Sequence, residues 1–153
     1  MSKPELIRQI RSSLEEQLAI TLAAADDARE NATGDETKSD GKYDTRAIEA
    51  SYLASAQAEQ AGKLAESVQL LTVFDPAPFD EDDDVGAGAL VETEHDGNIT
   101  FYLLAPAAGG CTVAYDGFDC TVLTPDSPLY QELLGSRVGE ALEHSPVMVL
   151  GVS

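Results

Sequence analysis

The sequence predicts an α+β protein: an N-terminal antiparallel helical hairpin, or coiled coil, followed by a small antiparallel sheet domain with one short helix. Three observations predict it. The first seventy residues repeat apolar side chains at helical spacing and contain no proline between Pro4 and Pro76. A proline- and acid-rich stretch, DPAPFDEDDD, then breaks the pattern. Beyond it, short strand-like runs flank two Asp-Gly pairs, the strongest short-range hairpin signal.

The first helix is expected over residues 4–31. Pro4 suits a first turn, and Leu6, Ile10, Leu14, Leu18 and Leu22 recur every four residues. That spacing drifts around a helix of 3.6 residues per turn, so Ile7 and Ile20 widen the stripe. The second helix is expected over 42–72, with Ile48, Tyr52, Leu53, Ala56, Ala61, Leu64, Val68 and Leu71 as its apolar positions. Two runs of similar length joined by a short polar segment bury both stripes most simply as a hairpin, with Ile10, Leu14, Leu18 and Leu22 facing Leu53, Leu64 and Val68. Each arm would reach on the order of 40 Å at 1.5 Å per residue. Domains therefore follow as 1–74 for the hairpin with its tip at 34–41, 75–85 for an acidic linker, and 86–153 for the sheet domain.

In the sheet domain GALVETEH and NITFYLLA flank Asp96-Gly97, and CTVAY and FDCTVLT flank Asp116-Gly117. With Asp116-Gly117 as a two-residue turn, Tyr115 faces Phe118 and Val113 faces Cys120. Cys111 is then diagonal to Cys120 at roughly 7–8 Å between Cα atoms, beyond good disulfide reach. Both cysteines read as small packed residues. The run TPDSPLYQELLGSRVGE reads as a short helix with Ser127 at the N-cap, Pro128 at its first position and Gly135 at its stop. PVMVLGV supplies a last strand.

Charge narrows the function. Of the 28 acids and 9 bases in the 153 residues, the first 74 carry 13 acids against 8 bases, and the remainder 15 acids against Arg137 alone. A C-terminal half with net charge −14 by that count repels phosphate backbones, so direct DNA binding is not expected. No run of ~18 apolar residues exists to span a membrane, and the N-terminus lacks the apolar run of a secretory signal. A cytoplasmic location follows as the expectation. His95 and His144 stand without a second ligand nearby in sequence and read as surface residues, and no phosphate loop or paired-cysteine metal motif occurs.

The segment GDETKSDGKYD, residues 34–44, holds four acids, two lysines, two glycines and no aliphatic side chain. Packing gains nothing from it at the end of a helical pair. A solvated loop is one reading and an acidic functional tip the other.

The residues Ser127, Pro128, Leu129, Leu133, Leu134, Gly135, Gly139 and Glu140 favour the second by resemblance and leave the first open. Their order resembles the C-terminal signature of the bacterial transcription elongation factors GreA and GreB, and the two-part architecture is similar over nearly the whole chain. The related regulators of nucleoside diphosphate kinase share the motif. The resemblance implies an FKBP-like C-terminal domain and RNA polymerase as partner, with the hairpin entering the polymerase secondary channel. It implies no enzyme activity and no cofactor of the chain's own. Tip acids would share a Mg²⁺ ion of the polymerase active centre during cleavage of backtracked transcripts; Mg²⁺ takes oxygen ligands and keeps several waters.

The tip departs from the family pattern of Asp, two residues, Glu-Asn, two residues, Tyr. Aligned on Tyr43, Glu36 takes the Asp position, Ser39 the Glu position and Asp40 the Asn position. Glu36 and Asp40 are thus the metal-assisting candidates, with Asp35, Lys38, Ser39, Lys42, Tyr43 and Asp44 as further polymerase contacts. A factor that occupies the channel without stimulating cleavage fits equally. From other classes, a prolyl isomerase would need an aromatic-lined pocket, and a protein-interaction module unrelated to polymerase would need only the hairpin.

Overall fold

The computed structural model describes residues 1–33 and 45–153, with side chains for 1–30 and 53–153. Helix α1 spans Lys3–Thr33 and helix α2 Thr45–Val73. They form the expected helical hairpin. Strands β1 (Leu90–His95), β2 (Asn98–Leu104), β3 (Thr112–Tyr115) and β4 (Phe118–Leu123) follow, then helix α3 (Pro128–Leu133) and strand β5 (Met148–Val152). Contacts divide the chain into two units, one of Met1–Ser12 with Leu70–Ser153, the other of Ser13–Gln69. The division runs through both helices.

In the hairpin unit, Leu14, Ala25 and Ala28 of α1 and Ala61 and Leu64 of α2 are buried. Ala54, Gln57 and Val68 are half-buried on the same α2 seam. The seam 54, 57, 61, 64, 68 alternates steps of three and four, the 3.5-residue repeat of two helices that wrap around each other. This corrects the expected four-residue stripe. Leu22 is 48% exposed and Leu53 52% exposed, while Ala25 and Ala28 take the buried places. A step of four residues advances 400° around a helix, so by its fourth repeat the stripe has rotated off the seam. The side chains of Ile48 and Tyr52 lie outside those described.

The sheet has strand order β3-β4-β2-β1-β5. Both Asp-Gly turns form as expected: Asp96 and Gly97 have φ of 50° and 80°, Asp116 and Gly117 of 48° and 87°, the double positive φ that joins twisted antiparallel strands. The register Tyr115↔Phe118 and Val113↔Cys120 matches the sequence reading, and Cys111 and Cys120 are both thiols. The sheet is mixed, however, since β2 and β4 pair in parallel, Leu103 beside Val122 and Leu104 beside Leu123. The second hairpin docks through β4. Cys120, Val122 and Leu123 are buried, whereas β3 alternates exposed and half-buried residues and forms an edge. The more apolar strand of the hairpin goes inward, and the chain overshoots to the edge before turning back.

One face of the sheet carries a core of Val91, Leu104, Leu123, Val149 and Val152, covered by Tyr130 and Leu133 of α3 and by Val85 and Ala89 from the segment before β1. Phe79 of the DPAPFDEDDD stretch packs against this core. The buried hydroxyl of Thr93 donates to the Thr100 carbonyl at 2.7 Å, so the polar group in β1 is satisfied.

Candidate functional site

The candidate residues at the tip, Asp35, Glu36, Lys38, Ser39, Asp40, Lys42, Tyr43 and Asp44, lie outside the described residues. The C-terminal motif is described throughout. Ser127 takes the N-cap position with extended backbone, φ −79° and ψ 131°, and Pro128 opens α3. The Ser127 hydroxyl makes no capping bond; its carbonyl instead accepts the Gln131 N–H at 3.2 Å. A loop hydrogen bond from the Gln131 amide to the Pro125 carbonyl at 2.7 Å secures the entry.

Leu133 is wholly buried and Leu129 packs against the same core, but Leu134 is 38% exposed. The pair of leucines therefore divides into one that packs and one that faces outward. Gly135, at φ 79°, ends the helix in the left-handed conformation open to glycine. Its N–H reaches the Val85 carbonyl at 2.8 Å, and the Val85 N–H returns to the Ser136 carbonyl at 2.9 Å. Gly139 at φ 91° makes the second turn. The Gly139 N–H donates to Val149 at 2.8 Å and Val149 donates back to Glu140 at 2.9 Å, so the motif's end covers the outer edge of β5. The Glu140 carboxylate accepts the Arg137 N–H at 3.2 Å.

Two residues not singled out from the sequence, Asp84 and Glu132, hold the motif and the loop after it. Asp84 accepts Arg137 Nε at 2.5 Å; the carboxylate beside it pushes the guanidinium pKa up. Glu132 of α3 accepts the His144 N–H at 2.9 Å and the Ser145 hydroxyl, tying the loop before β5 to the helix. His95 reaches the Pro146 carbonyl at 2.6 Å through Nδ1. An isolated acid on a six-residue helix gives no sequence signal of a loop partner twelve residues on.

Lys3, equally not singled out from the sequence, holds a different junction. Its ammonium donates to the carbonyls of Ala77 at 3.0 Å, Gly88 at 2.9 Å and Ser153 at 3.0 Å, and lies 5.0 Å from the Phe79 ring centroid. Partial burial draws its pKa down. The amino group of Met1 meets Asp116 Oδ1 at 3.0 Å, and the Tyr115 hydroxyl donates to the Met1 carbonyl at 3.1 Å. The first turn of α1 is thereby fastened to the turn between β3 and β4 and to the segment before β1. Beside this junction lies a cleft of about 360 Å³ between the first turns of α1 and the end of α2, walled by Arg8 and Arg11 on one side and Phe74, Asp75 and Pro76 on the other.

Among the described residues no group of three or more His, Cys, Asp or Glu could hold a metal ion, and no helix is long and apolar enough to cross a membrane. No family model matches the chain, and neither does any curated protein. Among solved structures the chain is similar to GreA factor homolog 1 (Gfh1) of Thermus thermophilus, at 20% identity over 94% of each chain with a TM-score of 0.37. It is also similar to Gfh1 of Thermus aquaticus, at 20% identity over 92% of each chain with a TM-score of 0.36.

Proposed function

We propose that the protein is a Gre-like transcription elongation regulator that binds RNA polymerase and inserts its helical hairpin into the secondary channel. The observation that carries this reading is the run from Ser127 to Glu140. Its residues resemble the Gre signature, and they fold as a short helix, a glycine stop and a return onto the last strand. The helical hairpin that precedes the sheet supports it.

In this reading the sheet domain docks and the hairpin delivers its tip. Glu36 and Asp40 act as oxygen donors toward a Mg²⁺ ion that polymerase itself holds, so any transcript cleavage is catalysed by polymerase with this chain as accessory. The chain needs no cofactor of its own. It makes no direct contact with DNA, because the acidic surface disfavours one. It works in the cytoplasm, with polymerase.

A second reading is favoured by one residue. Ser39 stands where the family pattern has a carboxylate, which removes one of the two acids that would share the ion. The chain then occupies the channel and competes with cleavage factors without stimulating cleavage. A transcript-cleavage assay on stalled, backtracked elongation complexes separates the two. Stimulation that disappears in Glu36→Ala/Asp40→Ala supports delivery of carboxylates. Suppression of cleavage by wild type and double variant alike supports occupation. No effect of either protein on polymerase sinks both and leaves an interaction module with another partner.

A further inference from the structure

We propose that the face of the sheet turned away from α3 is a docking surface for a basic protein segment, one that presents arginines beside bulky apolar side chains. Register assembles the surface. Glu94 stands opposite Ile99 and Glu92 opposite Phe101. Phe101 is next to Cys120 across the parallel pair, and Tyr115 is opposite Phe118. Paired residues share a face and neighbours along a strand alternate, so these side chains lie together, away from the core of Val91 and Val149 beneath α3. The Phe101 ring centroid lies 4.8 Å from that of Tyr115 and 6.0 Å from that of Phe118.

The surface is apolar and open. Phe118 is 44% exposed, and Met148, opposite Glu94 on the other side of β1, is 43% exposed. Ile99, Phe101 and Tyr115 are half-buried. Two carboxylates run through this apolar ground. Glu92 and Glu94 are two residues apart on β1, which separates them by about 7 Å, and both are half-buried. Among the described residues neither makes a hydrogen bond or an ion pair. The chain offers them little, because residues 75–153 hold one base, Arg137, and it pairs with Asp84. Lys3 directs its three donors at backbone carbonyls. A complementary cation therefore comes from a partner.

Arginine suits the surface best. Its guanidinium forks onto a carboxylate and stacks on an aromatic face, and Glu92 is paired in register with Phe101. An apolar neighbour on the same segment gains from Phe118 and Ile99. A second copy of this chain fits less well, since each carries a net charge of −19, and nucleic acid is repelled for the same reason. A metal ion would find two carboxylates in an apolar rim, with no group of three or more His, Cys, Asp or Glu among the described residues.

The surface is testable without polymerase, so its failure and that of the function proposed above are distinct. The probe is a short capped peptide carrying Arg-Leu-Phe-Arg, titrated into the full-length ¹⁵N-labelled protein. A Kd on the order of 0.1–1 mM is expected from two charge-assisted contacts and one apolar anchor. Amide shifts should concentrate at Glu92, Glu94, Phe101, Tyr115 and Phe118. Glu92→Gln/Glu94→Gln should weaken binding at least about tenfold with an unchanged thermal melt. Glu81→Gln/Glu143→Gln removes the same charge from exposed acids elsewhere and should bind as wild type does. A peptide with Ala in place of Leu-Phe should bind several-fold more weakly. Shifts spread over the whole acidic surface, retained affinity in Glu92→Gln/Glu94→Gln, or an equal loss in Glu81→Gln/Glu143→Gln would each overturn the proposal. So would shifts that follow protein concentration without peptide, which would put a second copy on the face.

Discussion

Lys3 Nζ lies 2.9 Å from the carbonyl oxygen of Gly88, and that glycine in turn holds φ at 88° with its missing side chain aimed at Pro76. One ammonium thereby joins the first turn of α1 to the segment before β1. Replacing Lys3 with Met keeps the stem and removes three charge-assisted donors. Urea denaturation should show a loss of about 1–3 kcal/mol. Lys3→Arg should recover little of it, because a planar fork cannot point at three carbonyls arranged around one nitrogen.

Gly88 and Gly97 form a matched pair. Both have positive φ, but a Cβ on Gly88 would sit 2.6 Å from Pro76 Cβ, whereas one on Gly97 meets nothing within 4 Å. Gly97→Ala should cost about 1 kcal/mol from backbone strain alone. Gly88→Ala should cost a further ~1–3 kcal/mol because Pro76 must move. Equal losses in thermal melts would mean that the contact with Pro76 is soft.

The two leucines that end α3 should respond unequally. Leu133→Ala leaves a cavity in the core and should cost about 2–5 kcal/mol. Leu134→Ala should stay within about 1 kcal/mol, since much of that side chain already faces water. Denaturant midpoints of the two variants check this directly.

Cys120 is wholly buried, and burial pushes its thiol pKa up to about 12. A pKa raised in the folded state gives stability that is complete below the unfolded thiol value and is lost as pH climbs through the folded one. Wild type should therefore lose stability relative to Cys120→Ala between about pH 9 and pH 12. At neutral pH, a thiol reagent should modify Cys111 well before Cys120 in the folded protein.

Much of the fold was legible because turns and periodicity are local. Asp96-Gly97 and Asp116-Gly117 announce their own turn geometry, and the register of Val113 with Cys120 follows by counting. The parallel pairing of β2 with β4 was not legible, since a hairpin signal does not say which of its strands meets the rest of the sheet. The hairpin seam was half legible: Leu14, Ala61 and Leu64 are buried as read, but Leu22 and Leu53 are exposed, and Ala25 and Ala28 fill the seam on α1. Small residues there let helices approach closely and score poorly as hydrophobic anchors. In the motif, Leu133 and Gly135 were legible, while Glu132, Asp84 and Lys3 act on partners distant in sequence and carry no spacing signal.

The measurement that tests the central claim most directly is competition for core RNA polymerase against a GreA factor, with fluorescently labelled GreA and this protein as unlabelled competitor. The account predicts that the protein displaces GreA completely and that Leu133→Ala weakens displacement in proportion to the fraction unfolded. Glu36→Ala/Asp40→Ala should displace it as well as wild type does. Simultaneous binding of both proteins, or no binding to polymerase at concentrations that saturate it with GreA, would contradict the account.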